Sequence, residues 1–383
     1  MADDIGRHIK SEAERTLWGL AAARCEFSDC NRMLYKSAVT QECVNVAQMA
    51  HIYSFAPDGP RGRGPFKDNP AGLNDLPNLM LVCYDCHKKI DQDKTGDRYS
   101  PSLLKQWKES HEARIRRVTG ISPSKKSHVL IYGSRIGDEH SPLQYDLAVH
   151  AMFPDWYPAE DKPIVLSMRC SHDDSLPEFW PTEAAHLKRE FERSIRPRVE
   201  EGAPNHFSIF SFAPQPLLIL LGTLVTDKVP SMVYQLHREP HGWEWQPHPN
   251  DFEFIINEPA DKSGTPILVV SLSGKIDPGR VTATQSGRLS IWELTIADCH
   301  NDFLRSEAQL TMFRQVIRRV MVAIQTSHPK AQALHVFPAM PLSCAVEFGR
   351  ARMPKADLPW IIHDQNNKHQ KFIPTLTIRN HDE

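Results

Sequence analysis

Two cysteine pairs, Cys25-x4-Cys30 and Cys83-x2-Cys86, lie some fifty residues apart near the start of the chain, and they constrain that region more tightly than any apolar pattern does. Four thiolates brought onto two knuckles make a tetrahedral sulfur set, which selects zinc in a closed structural site. A single C-x-x-C is compatible with redox chemistry. Two pairs in one short segment are better explained as a zinc clip holding together a core too small to fold alone. The remaining cysteines, Cys43, Cys170, Cys299 and Cys344, stand singly in apolar or mixed surroundings and read as buried thiols.

The chain has 383 residues, enough for two or three domains, and a formal net charge of -2 gives no overall pull toward nucleic acid. Any DNA contact therefore has to come from a local patch. ARIRRVTGISPSKKSH and the RGRG run at Arg61 to Gly64 gather positive charge around the first region; they read either as such a patch or as a solvated linker face. No apolar run reaches the ~18 residues a membrane span needs. The opening MADDIGRHIKSEAERTLWGL lacks the apolar core and small-residue cleavage site of a secretory signal, so the expectation is a cytoplasmic protein with no membrane partner.

Helical spacing over Leu103 to Val118 stops before TGISPSKKS, whose Gly, Pro and Ser content marks a linker. The expected organisation is a first domain over 1–118, a linker over 119–127 and a second domain over 128–383. In the second, short apolar runs (HVLIYG, PIVLSM, FSIFSFA, ILVVSLSG, WELTI, LHVFPAM) alternate with helix-compatible stretches, which argues for an α/β architecture with largely buried strands. FSIFSFAPQPLLILLG and LHVFPAMPLSCAVEFG share one grammar: apolar strand, a turn of Phe, Ala and Pro, then an apolar helix ending in Gly. PIVLSM and PILVVSLSG read as the earlier counterparts of these two strands. Duplication predicts two similar halves, about 128–230 and 231–383. Ligands of open α/β sheets sit outside the carboxyl ends of the strands, so the FAPQP and FPAMP turns, with Pro214, Pro338 and Met340, are expected to border one cleft. The bland alternative is that these prolines only end strands and start helices.

Between the cysteine pairs, VAQMAHIYSF reads as a strand delivering His51, followed by a Gly- and Pro-rich loop, then Asn78, then His87 directly after the fourth cysteine. This order, closed by N-L-x-L-x-C-x-x-C-H, resembles the HNH endonuclease family with its ββα-metal fold, over about the first 115 residues. The resemblance implies His51 as general base, Asn78 as the brace of the loop that orients it, and His87 as ligand of a divalent ion such as Mg²⁺. Histidine suits the base role because an unperturbed pKa near ~6.5 leaves much of it neutral. Asp91, one helical turn beyond His87 and on the same face, could complete the ion site. Arg61, Arg63 and Lys88 are the candidate contacts to double-stranded DNA. Many family members carry a metal-binding acid or histidine just before the base, where this chain has Ala50; Asp75 and Gln48 are possible substitutes. A zinc module that binds DNA without cutting it is the competing reading.

In the second region, MVYQLHREPHGWEWQPH, FAPQPLLILLG and HVFPAMPLSCAVEFGRARMPKADLPWIIHD together resemble SAVED domains, sensor modules related to the CARF nucleotide-binding fold. The expected fold is then α+β followed by α/β: a zinc-stabilised ββα-metal (HNH) domain, then a SAVED domain of two fused CARF/Rossmann-like halves. The domain order looks like effector nucleases of cyclic-oligonucleotide-based anti-phage signalling (CBASS). It implies a cyclic di- or trinucleotide ligand; the need to hold a DNA cutter inactive leads to the expectation of a ligand-induced homo-oligomer, and the lack of an evident base-reading helix to that of largely sequence-independent cutting through phosphate contacts. Purine faces want aromatic or guanidinium planes and phosphates want cations and free N–H groups, which nominates His237, Arg238, Trp243 and Trp245, and the Ser273, Gly274, Lys275 turn. For each tryptophan taken singly, packing in a core is the better reading. No G-x-G-x-x-G fingerprint, G-x-S-x-G elbow or P-loop suggests a separate α/β enzyme.

Overall fold

The run Leu79–Cys83 (LMLVC) has no polar residue in five, so a strand made from it must be covered on both faces. In a computed structural model of the chain, which describes residues 9–133, 143–167, 176, 178–202, 206–366 and 371–379, that strand is buried throughout. The chain divides into two compact units, Met1–Ser122 and Pro123–Glu383.

The first unit contains α1 (Ser11–Leu20), β1 (Ala47–His51), β2 (Leu79–Cys83), α2 (Tyr84–Gln92) and α3 (Pro101–Thr119). β1 and β2 pair antiparallel, with Ala47 opposite Cys83 and His51 opposite Leu79. Three short 3-10 turns, Gly64–Phe66, Pro70–Asn74 and Leu76–Asn78, carry the Gly- and Pro-rich loop back to β2. Ser100 caps α3 by accepting from the Leu103 N–H at 3.3 Å, with Pro101 pre-set for the first helical position. Leu17, Leu34, Ile52, Leu79, Leu81 and Leu104 form the heart of a small core. A core of this size is marginal without a further tie.

In the second unit the strands are β3 (Lys126–Gly133), β4 (Tyr157–Pro158), β5 (Ile164–Ser167), β6 (Phe207–Phe212) and β7 (Ser231–Val233), then β8 (Ile255–Asn257), β9 (Thr265–Ser271), β10 (Leu289–Thr295), β11 (Leu334–Ala339), β12 (Trp360–Asn366) and β13 (Lys371–Ile378). Between them run α4 (Tyr145–Met152), α5 (Phe179–Ser194), α6 (Arg196–Glu201), α7 (Gln215–Val225), α8 (Pro278–Thr282), α9 (Glu307–Ser327) and α10 (Leu342–Arg350). Two sheets result. The first is parallel, with β5, β3, β6 and β7 side by side and β4 at the start of β3. The second runs β13-β12-β11-β9-β10-β8, its four inner strands parallel and both edges antiparallel.

The strand orders β5-β3-β6-β7 and β10-β9-β11-β12 are the same arrangement met twice. β6–α7 and β11–α10 are the strand–turn–helix repeat read from the sequence. The earlier counterparts are not the expected ones: PILVVSLSG (β9) corresponds to HVLIYG (β3), and PIVLSM (β5) corresponds to LSIWELT (β10). Strand order is set by the crossovers, which local apolar grammar does not reveal. β7, placed by sequence at the start of the second half, pairs with β6 and belongs to the first.

The repeat glycines do not end their helices. α7 continues to Val225, past Gly222, and α10 to Arg350, past Gly349. A methyl added at Gly222 would stand 2.0 Å from the Val346 carbonyl oxygen, and one at Gly349 would stand 2.0 Å from that of Ile219. The two repeat helices therefore cross backbone to backbone, which only a residue without Cβ permits. Beside the crossing, buried Arg350 donates to the carbonyls of Thr226 (3.1 Å) and Val229 (2.9 Å) and pairs with Glu347 (2.7 Å). A buried charge satisfied this fully resists displacement far more than a surface pair does.

Among the described residues no helix is long and apolar enough to cross a membrane. Of the cysteines read as buried singles, Cys344 is buried, Cys299 is half-buried with its thiol donating to the Ser271 carbonyl (3.1 Å), and Cys43 is exposed. Cys43 sits in the loop before β1, where no core reaches it; Cys170 lies outside the described residues.

Candidate functional site

Local turns build the sulfur cluster. Cys25 donates its N–H to the Arg32 carbonyl and Cys30 to that of Phe27, closing a knuckle around left-handed Asp29 and Asn31. Cys83 ends β2 and Cys86 falls in the first turn of α2, so the strand-to-helix corner supplies the second pair. All four sulfurs lie within 4.8 Å of one another. Cys30 and Cys83 sulfurs are 3.9 Å apart, well beyond a disulfide, whereas Zn–S bonds of about 2.3 Å set tetrahedral sulfur separations of about 3.8 Å. Burial pushes the Cys25 thiol up to about 12 and also raises Cys86. Cys83 lies lower: burial raises it, but the hydrogen bonds it receives from Cys86 and the neighbouring thiols prevail. Such a set becomes four thiolates only when a cation compensates them, and the donor chemistry and spacing fit zinc.

His51 stands at the end of β1, half-buried, with its Nε2 3.0 Å from Asn74 Oδ1 and its ring 5.8 Å from that of Phe55. Asn78 is fully buried. Its Oδ1 accepts from the Tyr53 N–H (2.8 Å), and its Nδ2 donates to the carbonyls of Tyr53 (3.2 Å) and Leu73 (2.9 Å). This one amide thus ties the strand exit beyond His51 to the loop returning to β2. On α2, His87 Nδ1 meets Asp91 Oδ2 at 3.1 Å, both partly open to solvent. Among the described residues the four cysteines are the only group of three or more histidine, cysteine or acidic side chains whose ligand atoms converge. Ala50 is buried opposite Met80, and Asp75 and Gln48 are exposed. His87 and Asp91 thus face each other on one side of α2 as an imidazole–carboxylate pair.

Arg61 corrects the expectation of a DNA contact. Its guanidinium turns inward, donating to the carbonyls of Ile52 (2.8 Å), Ile90 (3.3 Å) and His51 (3.5 Å), so it clamps β1 to the end of α2. Arg63 is half-buried and donates to the Phe55 carbonyl at 3.2 Å. Lys88 is exposed on α2, its ammonium 5.4 Å from the Tyr84 ring centre.

In the second unit the two proline turns come together. Met340 N–H donates to Gln215 Oε1 (3.1 Å), and Ser343 donates through both N–H (3.2 Å) and Oγ (2.8 Å) to Gln235 Oε1. The carboxyl ends of β6, β7, β9 and β11 and the first turns of α7 and α10 therefore share one edge. Pro214 lies at this edge, and Ser273 joins it by donating its N–H to the Ala339 carbonyl (2.8 Å), with Gly274 half-buried and Lys275 exposed. Three candidates are core instead. Trp243 is 2% exposed, edge-on to Phe210 at 5.3 Å, and the side chains of Pro338 and Met340 are buried. Large apolar groups at a strand end pack inward when a helix covers them. His237 is buried with its ring 5.9 Å from that of half-buried Trp245, and exposed Arg238 has its N–H held by Asp302. Sequence reading missed Gln215 and Gln235; for Gln215 its place directly behind the turn proline Pro214 was the available signal, and for Gln235 there was none.

Two parallel-stranded sheets of like strand order, whose repeat turns meet at one edge, define a duplicated α/β module. The family model described as "SMODS-associated and fused to various effectors sensor domain", SAVED, matches residues 187–378, half of the chain, and the chain belongs to that family. Similar solved structures include the Acinetobacter baumannii Cap4 SAVED/CARF-domain containing receptor with the cyclic trinucleotide 2'3'3'-cAAA (11% identity, TM-score 0.41, covering 81% of this chain and 69% of that chain). The same receptor with 3'3'3'-cAAA is 12% identical (TM-score 0.40, 81% and 69%), and the Moraxella osloensis Cap4 receptor is 12% identical (TM-score 0.37, 82% and 70%). No curated protein matches the chain.

Proposed function

We propose that the chain is a nucleotide-gated DNA endonuclease: the second unit senses a cyclic di- or trinucleotide, and the first hydrolyses double-stranded DNA by HNH chemistry, as an effector of bacterial anti-phage (CBASS) defence. The observation that carries the proposal is the placement of His51 at a strand end braced by Asn78, in a sheet whose following helix bears His87 and Asp91 beside a four-cysteine cluster. A family whose members are fused to effectors supports the coupling.

In this reading His51 takes the proton of the attacking water, the new P–O bond forms and the 3′ oxygen leaves. A divalent ion held by His87 and Asp91 would supply charge neutralisation on the phosphorane-like transition state. Asn78 and Arg61 hold the backbone that carries His51, and rigid placement is itself a large part of the rate. At the other unit, the edge formed by the FAPQP turn and the Ser273–Lys275 turn offers N–H groups and an ammonium to phosphates, and Trp245 and Arg238 offer planes to bases. An unregulated DNA cutter harms its host, so the nucleotide has to bind a competent assembly more tightly than the resting one. That assembly is a homo-oligomer pairing two nuclease units across the strands of a duplex.

The expected result is that plasmid incubated with the full chain and Mg²⁺ stays intact until one member of a panel of cyclic di- and trinucleotides is added, and is then degraded while light scattering reports a larger particle. Plasmid untouched by every member would overturn the reading, and cleavage by a particle of monomer mass would overturn its oligomeric part.

A further inference from the structure

Asn74 is a residue that neither the sequence motif nor the roles above employ, yet it is a hydrogen-bonding side-chain partner of the His51 ring. Its Oδ1 stands 3.0 Å from His51 Nε2. An amide oxygen only accepts, so this contact requires the hydrogen on Nε2 and leaves the lone pair of the neutral ring on Nδ1. We infer that Asn74 is a positioning residue that holds His51 in its Nε2–H tautomer and fixes the ring so that Nδ1 serves as the base; the inference rests on the nuclease reading above.

The surrounding geometry explains why this contact persists. Asn74 closes the 3-10 turn Pro70–Asn74, and its neighbour Leu73 is fully buried with its carbonyl held by Asn78 Nδ2 at 2.9 Å. The same Asn78 side chain binds both the N–H and the carbonyl of Tyr53, two residues after His51. One buried amide thus sets the positions of both partners, and Arg61 fixes the carbonyls of His51 and Ile52 from the other side. Asn78 orders the backbone; Asn74 orders the ring. Backbone bracing alone leaves the imidazole free to rotate about its side-chain bonds, and a ring turned away from the water loses its lead as a base.

The test uses the full, zinc-loaded chain. In ¹⁵N-histidine-labelled protein, with His51 assigned by its disappearance in His51→Ala, the wild-type ring is expected to show a protonated Nε2 and an unprotonated Nδ1, and Asn74→Leu to show shifts averaged between tautomers. With activating nucleotide and Mg²⁺ at pH 8.5, Asn74→Leu is expected to lower kcat for duplex cleavage by about ten- to a hundredfold with KM nearly unchanged. Asn74→Asp keeps the acceptor and is expected to stay within about threefold of wild type. A wild-type ring protonated on Nδ1, or wild-type kcat in Asn74→Leu, overturns the inference; so does equal loss in the Asp and Leu variants. Wild-type protein that never cuts DNA overturns the nuclease reading instead, and the tautomer measurement still decides the inference about Asn74.

Discussion

Replacing His51 by alanine is expected to lower the turnover of duplex cleavage by about a hundredfold to ten-thousandfold, the range a positioned general base contributes. The effect should fall on kcat and not on KM for DNA, since the proposed base would act on the water and not on the bound duplex. Zinc content, thermal unfolding and nucleotide binding should be those of the wild type. His51 is half-buried at a strand end, opposite Leu79 and outside the innermost core, so its truncation removes little packing. Its backbone stays clamped, because Asn78 and Arg61 grip main-chain atoms that alanine also has. Steady-state cleavage of a labelled duplex, with metal analysis and calorimetric titration on the same preparations, checks all of this together. A variant that cuts at the wild-type rate would leave the imidazole a structural residue and favour a non-catalytic zinc module.

Cys86→Ser is expected to have the largest effect on stability. Structural zinc contributes roughly 10–16 kcal/mol to small zinc-dependent folds, more than a core of this size supplies by itself. Cys86 sits in the first turn of α2, so losing its thiolate unpins the strand-to-helix corner that also carries His87 and Asp91. Bound zinc should fall from one ion per chain toward none, and the first unit should lose its cooperative unfolding transition. The second unit builds its own core from the α7–α10 crossing and the two parallel sheets, so its transition should survive. Prolonged chelation should reproduce the same split. Retention of both transitions in metal-free protein would show that the four sulfurs are ordinary core thiols.

What the sequence disclosed follows from which interactions are local. The convergence of Cys25, Cys30, Cys83 and Cys86 was readable because each pair lies within one turn, so spacing and residue type suffice. The repeated strand–turn–helix was readable for the same reason, and the meeting of its two turns followed from the duplication. Correspondence between the other strands was not readable, since the partner of β3 is chosen by crossovers that span tens of residues. Gly222 and Gly349 looked like helix ends because a helix-terminal glycine and a crossing glycine have the same local sequence; the approach that demands them comes from the other half. Arg61 illustrates the opposite failure. An arginine among glycines suggests an exposed cation, whereas three carbonyls from distant segments draw it inward. Asn74 was passed over and Trp243 was nominated for a ligand it does not face for the same reason, since one gains its meaning from a ring 23 positions away and the other from the ring of Phe210 it packs against.

The most direct test is an order-of-addition experiment on one preparation of the full chain with labelled duplex and Mg²⁺, in which strand scission is followed continuously while the activating cyclic nucleotide, and then a chelator of divalent ions, are added. The account predicts intact duplex at first, scission beginning on addition of the nucleotide, and arrest on chelation. Scission at full rate before the nucleotide, or continuing unchanged after chelation, would contradict it.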